Sequence, residues 1–405
     1  MPALAVSAAP YPVLRRAAVA TGLVFAVSGM ASASWVSRLP EIRHHLHAST
    51  GSLGTALLGA AIGSILGGPI TGRMAHRFGS RNVLAVTCAI TGLGMTGVAF
   101  APSVPVLGVI LIAFGFGYGS WDVAMNIHGQ GVEAAAGKAW MPRYHAAWSV
   151  GGFSGAGIGA GMSALGVPVR VHLVCAAIIC FAAVLGLLTM FLADRHVPEP
   201  HHEARPAGKK VSLFTKHFLA LGAVMAAATL VEGAAGDWLG IYFDDHRGVG
   251  PAAGAAAFTA FSVAMATSRA AGTWLIEFRG RAFAVFMSGI VALAGVSLLL
   301  LSPFLIGAYA GAVLWGLGAA TAFPAVISAA GETPGRSAEA ISLVTPIGYT
   351  GFLVGPPVIG FLGQLMGLEH ALWLVGGLAV VIIALSGATR EVAPQKQEKQ
   401  ASLTR

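Results

Sequence analysis

Charge is scarce in this sequence: only 10% of its 405 residues are Asp, Glu, Lys or Arg, too few to cover the water-facing surface of soluble domains of that total length. Cysteine is scarcer still. The three residues Cys88, Cys175 and Cys180 each lie inside an apolar stretch, so neither a disulfide framework nor thiol redox chemistry organises the chain. There is no G-x-x-x-x-G-K-[ST] phosphate loop, which removes support for ATP-driven work. There is also no H-E-x-x-H or comparable nucleophile-and-base spacing, so an enzyme is not expected. No cofactor is expected: the run Gly115-Phe116-Gly117-Tyr118-Gly119 sits in an apolar segment with no strand before it. His44, His45, His47, His201 and His202 stand without a Cys or acidic ligand pattern, so no metal site is expected. A cleavable leader is not expected either, because apolar length is short before Arg15 and Arg16.

What the chain does contain is apolar surface. Hydrophobic residues make up 56% and the mean hydropathy is +0.77, so the solvent is mostly lipid. Glycine, at 55 residues, lets membrane helices approach closely. Apolar runs predict six spans at about 17–38, 52–72, 82–101, 104–130, 144–165 and 170–192, and six more at about 217–242, 252–276, 282–302, 305–329, 339–365 and 370–389. The expected fold is an all-α membrane protein of twelve transmembrane helices in two six-helix halves. These halves cover residues 1–192 and 214–389, joined by a polar cytoplasmic linker at 193–213 and followed by a polar tail at 390–405. Basic residues accumulate in cytoplasmic loops, and with both termini cytoplasmic all but Arg38, Arg43, Arg170 and Arg247 of the 24 Lys and Arg fall inside. The net charge of +8 therefore follows from topology in an inner membrane, and no nucleic-acid partner is needed. A monomer in the lipid bilayer is expected.

A motif recurs at the same place in each half. After the second span stands GRMAHRFGSR, Gly72 to Arg81, and after the eighth GTWLIEFRGR, Gly272 to Arg281. The first resembles the signature loop of the major facilitator superfamily, G-x-x-x-D-R-x-G-x-R, at Gly72, Arg77, Gly79 and Arg81, with His76 where that family has Asp. The second copy offers Arg269, Gly272, Arg279 and Arg281. The resemblance implies a cytoplasmic gate built from these residues, and His76 in place of the acid implies a weaker or pH-sensitive latch. WDVAMNIHGQGVE (121–133), MPRYHAAWSVGG (141–152) and VEGAAGDW (231–238) are similar to the fucose-permease-like and uncharacterised inner-membrane permease branch.

Ionisable groups inside spans are costly, so they are functional candidates by default. Asp122 shares a helix face with Gly115, Gly119 and Asn126, and it is expected to face the interior, with Arg143, His145 or a proton to satisfy it. Glu232 falls near the membrane centre, where a carboxyl suits a reversible proton carrier. Asp237, five residues on, stands about 140° away around an ideal α-helix and closer to the outer interface. Asp122, Glu232 and Asp237 are thus the proton-coupling candidates. Arg38 could pair with Glu41 or meet a ligand, and His145 could shuttle a proton. Trp35, Trp148, Trp238, Trp315 and Tyr349, with Arg38, Asn126 and His145, are candidates for the substrate cavity.

The function expected is secondary active transport of a small polar metabolite, with sugar-like compounds among the candidates, by proton-coupled alternating access. The alternative is a proton-antiport efflux pump for drugs or metabolites, and against it stand Ile112 and the absence of Pro from the Gly-rich fifth span, both departures from what the resemblance would lead an antiporter to carry.

Overall fold

A computed structural model describes residues 10–138, 140–192, 215–333 and 337–391, and among these the regular structure is helical throughout. In lipid no water is present to bond a bare backbone, so each apolar run satisfies its own N–H and C=O groups as a helix. The first set of helices is α1 (Tyr11–Val36), α2 (Leu39–His45), α3 (Thr50–Phe78), α4 (Ser80–Ala99), α5 (Val104–Ala136), α6 (Met141–Ala164) and α7 (Val169–Leu188). The second set starts with α8 (Lys216–Ala234), a π-helical turn (Ala235–Leu239), α9 (Gly240–Asp245) and α10 (Pro251–Arg279). It continues with α11 (Arg281–Leu301), α12 (Leu305–Ala319), α13 (Ala322–Gly331), α14 (Ser337–Met366), α15 (Leu368–Ala371) and α16 (Trp373–Leu385), which ends in a 3₁₀ turn (Ser386–Thr389).

Among the described residues, ten stretches are long and apolar enough to cross a membrane. Two further helices, α6 and α10, have the length at 24 and 29 residues. Their Gly, Ser and Thr content, with Arg143 and His145 in one and Arg269, Glu277 and Arg279 in the other, keeps their hydropathy lower. The outer loop expected after the first span folds as α2, and the span expected at 305–329 is interrupted at Ala320 and Thr321. The linker expected at 193–213 and the tail beyond Glu391 lie outside the described residues.

Helix boundaries follow ordinary local chemistry. Pro stands in the first turn of α1, α5, α6 and α10, where its missing N–H costs nothing. Ser49 and Thr215 cap α3 and α8 by accepting from the N–H groups of Ser52 and Phe218. The two repeated basic turns close alike: Gly79 between α3 and α4 has φ 83°, and Gly280 between α10 and α11 has φ 85°. A single left-handed residue reverses the chain there, and only Gly adopts it without strain.

The packing repeats as well. α1 packs on α6 as α8 packs on α14, α3 on α5 as α10 on α12, and α4 on α7 as α11 on α16. The sets meet along α3–α14 and α6–α10. The first of these contacts is tight at the end of the molecule away from Gly79 and Gly280. There a Cβ on Gly54 would stand 2.5 Å from the Pro356 carbonyl oxygen, and Gly360 lies against Thr50. Ser49 Oγ, at the same end, donates to Gln364 Oε1 at 3.3 Å.

Candidate transport site

Each interior acid has a different environment. Both carboxylate oxygens of Glu232, on α8, accept from Nη2 of Arg269, on α10, at 2.9 and 3.1 Å. The two side chains are 17% and 30% exposed, so this pair is half-shielded and holds more Coulombic energy than a surface pair. Arg269 stands about 15 Å up α10 from Arg279, in the helix body and apart from the basic turn. Its charge also acts on His145 of α6, across the boundary between the sets. One guanidinium is thus paired with a carboxylate of its own set and felt by an imidazole of the other.

Asp122 is partnered by Asn126 one turn on, whose Nδ2 donates to the carboxylate at 3.2 Å and to the Asp122 carbonyl at 2.9 Å. Neither Arg143 nor His145 takes that place. The Asp122 charge acts on Tyr349 of α14, which is half exposed and belongs to the other set. One turn before Asp122, Tyr118 accepts a hydrogen bond at its hydroxyl from Trp148 Nε1 of α6, at 3.2 Å, and stacks on Phe114 at 5.8 Å. Tyr118 escaped notice as a candidate because it stands in a Gly-rich run. The signal was there, since it sits four residues before Asp122 and so on the same face.

Asp237 makes no hydrogen bond or ion pair among the described residues and lies in the π turn. A π turn holds more residues than an α turn, so it takes back part of the 140° offset that ideal α geometry puts between Glu232 and Asp237. The two acids are therefore closer to one face than an uninterrupted helix would allow.

The remaining candidates lie in packed positions or at the basic turns. Trp35 meets Phe114 edge-on at 5.4 Å, Trp238 is fully buried against Gly360, and Trp315 is fully buried with Nε1 donating to the Val231 carbonyl at 3.0 Å. His145 lies edge-on to Phe25 at 5.3 Å. Arg38 is buried at the end away from Gly79 and Gly280, 3.0 Å from Glu41, with Nη2 donating to the Val167 carbonyl at 2.7 Å. At the basic turns Gly72, His76, Arg77 and Arg81 are exposed, Gly79 is half-buried, and Gly272 faces Thr321. Arg77 lies over the Phe78 ring, and Arg279 over the rings of Phe278 and Phe283. Arg281 bonds Glu332, Ser328 and the Thr389 carbonyl. These contacts of Arg77, Arg279 and Arg281 stay within one set.

Residues 20–349 match the family model of the Major Facilitator Superfamily. The chain belongs to the Major Facilitator Superfamily. Among its relatives are an uncharacterised transporter, y4wD, of Sinorhizobium fredii, 31% identical over 91% of this chain and 96% of that one, and an uncharacterised MFS-type transporter of Yersinia pestis, 29% identical over 92% and 95%. The membrane protein MosC of Rhizobium meliloti is 27% identical over 91% and 88%. Among solved structures, a bacterial homologue of the human lysosomal transporter Spinster, inward-facing and occupied, superposes with TM-score 0.77 at 15% identity, covering 95% of this chain and 100% of that one. The nucleoside transporter NupG superposes with TM-score 0.71 at 14% identity, covering 93% and 98%. At such identities the likeness carries the fold alone. This MFS protein is a multi-pass membrane transporter and not an enzyme.

Proposed function

We propose that this MFS transporter moves a small polar metabolite by alternating access, coupled to protons, with the first and second sets of helices rocking as two six-helix halves of a twelve-helix chain. The observation that carries the reading is the Glu232–Arg269 pair, an acid and a base held together inside the bundle on two different helices. A proton on Glu232 removes the charge that holds Arg269, and the freed guanidinium is then available to substrate or to His145. Asp122 with Asn126, and Tyr118 with Trp148, offer acceptors, donors and an aromatic face of the kind that bind a hydroxylated, sugar-like compound. The repeated packing of the two sets supports division into halves, and the repeated glycine turns support a common origin for them. The count of twelve rests on α6 and α10, whose lower hydropathy suits helices that face each other rather than lipid. The basic turns support cytoplasmic termini.

The test is a proteoliposome screen of sugars, polyols and nucleosides under an imposed pH gradient, comparing wild type with Glu232→Gln and Asp122→Asn. Either substitution is expected to lower gradient-driven flux while counterflow persists. Unchanged gradient-driven flux in both variants would remove the coupling assignment, and no movement of any compound would count against metabolite transport.

A further inference from the structure

At the end of the molecule opposite Gly79 and Gly280, α2 belongs to the first set and reaches into the second. On one side it is anchored at home: Arg38 pairs with Glu41 at 3.0 Å, and Ser163 Oγ donates to Glu41 Oε1 at 2.5 Å. On the other side it meets α9. Arg43 ion-pairs with Asp245, and His44 Nε2 lies 2.7 Å from Asp244 Oδ2 and 3.8 Å from Asp245 Oδ1. The Asp244 side chain is only 6% exposed.

The cluster is unbalanced as it stands. Two carboxylates face one guanidinium, and the imidazole decides whether the group is neutral or carries one net negative charge. The other titratable groups of this face are engaged elsewhere or sit apart. His246 is 3.4 Å from Glu369, Arg247 donates to the Ser302 and Leu299 carbonyls, and His45 and His47 flank the cluster on the first set. α10, the remaining element against α2, has no titratable side chain from Pro251 to Ser268.

We propose that Arg43, His44, Asp244 and Asp245 form a pH-responsive latch between the two sets, in which a protonated His44 favours closure of this end and a neutral His44 releases it. The proposal rests on the alternating-access reading and deepens it by naming what biases the two states. Imidazole changes charge between about pH 5 and 8, so acid closes the latch and alkali loosens it. With the proposed cytoplasmic termini this end lies on the outer side of the membrane, where acid outside would favour the closed, inward-facing form. With His44 half exposed, its charge is expected to shift the closed-to-open ratio about two- to fivefold.

The test uses the full-length protein in nanodiscs, with Cys88, Cys175 and Cys180 replaced and spin labels at Leu165→Cys and Phe304→Cys. These two sites are exposed at this end, one on each set. Distances are measured by pulsed electron resonance between pH 5.5 and 8.5. The closed population of wild type should rise toward acid, the loss of the imidazole in His44→Gln should leave that variant flat, and His44→Lys should stay closed throughout. A His44→Gln variant that keeps the wild-type pH response, or a wild type with no response, overturns the latch. A single distance in every variant at every pH overturns alternation itself, a separate result.

Discussion

Gly54→Ala tests whether the α3–α14 contact is a gate or simply packing. The new Cβ would stand 2.5 Å from the Pro356 carbonyl oxygen and 3.2 Å from Pro357 Cα, where ordinary contact needs about 3.4 Å or more. Pro356 and Pro357 sit inside α14 with fixed φ, so the neighbour yields little by rotating. The helices must then part by roughly 1 Å, and overpacking of this kind costs about 1–3 kcal/mol. Because that contact joins the two sets, the cost falls on the closed state, and the closed-to-open ratio should drop about 5- to 150-fold, from the relation of about 1.4 kcal/mol to a factor of ten. The Leu165–Phe304 label pair reads this as a population moving to longer distance. Two controls isolate the cause. A Cβ on Gly152 meets nothing within 4 Å, so Gly152→Ala should change neither distance nor melting temperature. A Cβ on Gly151 overlaps the Ala26 carbonyl within the first set, so Gly151→Ala should lower the melting temperature without moving the labels. A Gly54→Ala protein as closed as Gly152→Ala would refute the reasoning.

Other substitutions probe separate parts of the account. Arg281→Ala removes the bonds to Glu332, Ser328 and the Thr389 carbonyl, and it should cost about 2–4 kcal/mol, read as a lower unfolding temperature in detergent. Tyr118→Phe keeps the stacking on Phe114 but loses the acceptor for Trp148, and it should raise KM about two- to tenfold with kcat nearly unchanged. Arg269→Gln leaves Glu232 without its cation and should weaken gradient-driven flux as much as Glu232→Gln, whereas Arg269→Lys should keep part of it.

Much of the scaffold was legible in the sequence because a lipid solvent imposes one rule on every segment, and runs of about 20 apolar residues obey it visibly. The expected apolar spans fall on helical structure, although 305–329 is divided between α12 and α13, 217–242 between α8, the π turn and α9, and α3, α5 and α10 run on past their apolar runs to Phe78, Ala136 and Arg279. The extensions of α3 and α10, at 73–78 and 277–279, carry charged residues, and there hydropathy no longer reports helix. Gly79 and Gly280 were legible as parts of a repeated turn, and their left-handed backbone explains why Gly recurs there. Partners were much less legible. Sequence spacing placed Arg269 near its basic turn, but only the packing of α10 on α8 puts it beside Glu232. Asp237 looked remote from Glu232 because a helical wheel assumes α geometry, and a π turn has no signature in residue type. His44, His45 and His47 have no Asp near them in sequence, while Asp244 and Asp245 come to lie beside His44 from some 200 positions away.

Under the proposed coupling, Glu232 is the residue through which a proton gradient does work. The most direct measurement compares accumulation driven by a pH gradient with equilibrium counterflow, for wild type and Glu232→Gln in the same proteoliposomes, with a compound that wild type moves. Gradient-driven accumulation should fall to the level without a gradient in the variant, while counterflow continues. Accumulation in Glu232→Gln equal to wild type would contradict the claim.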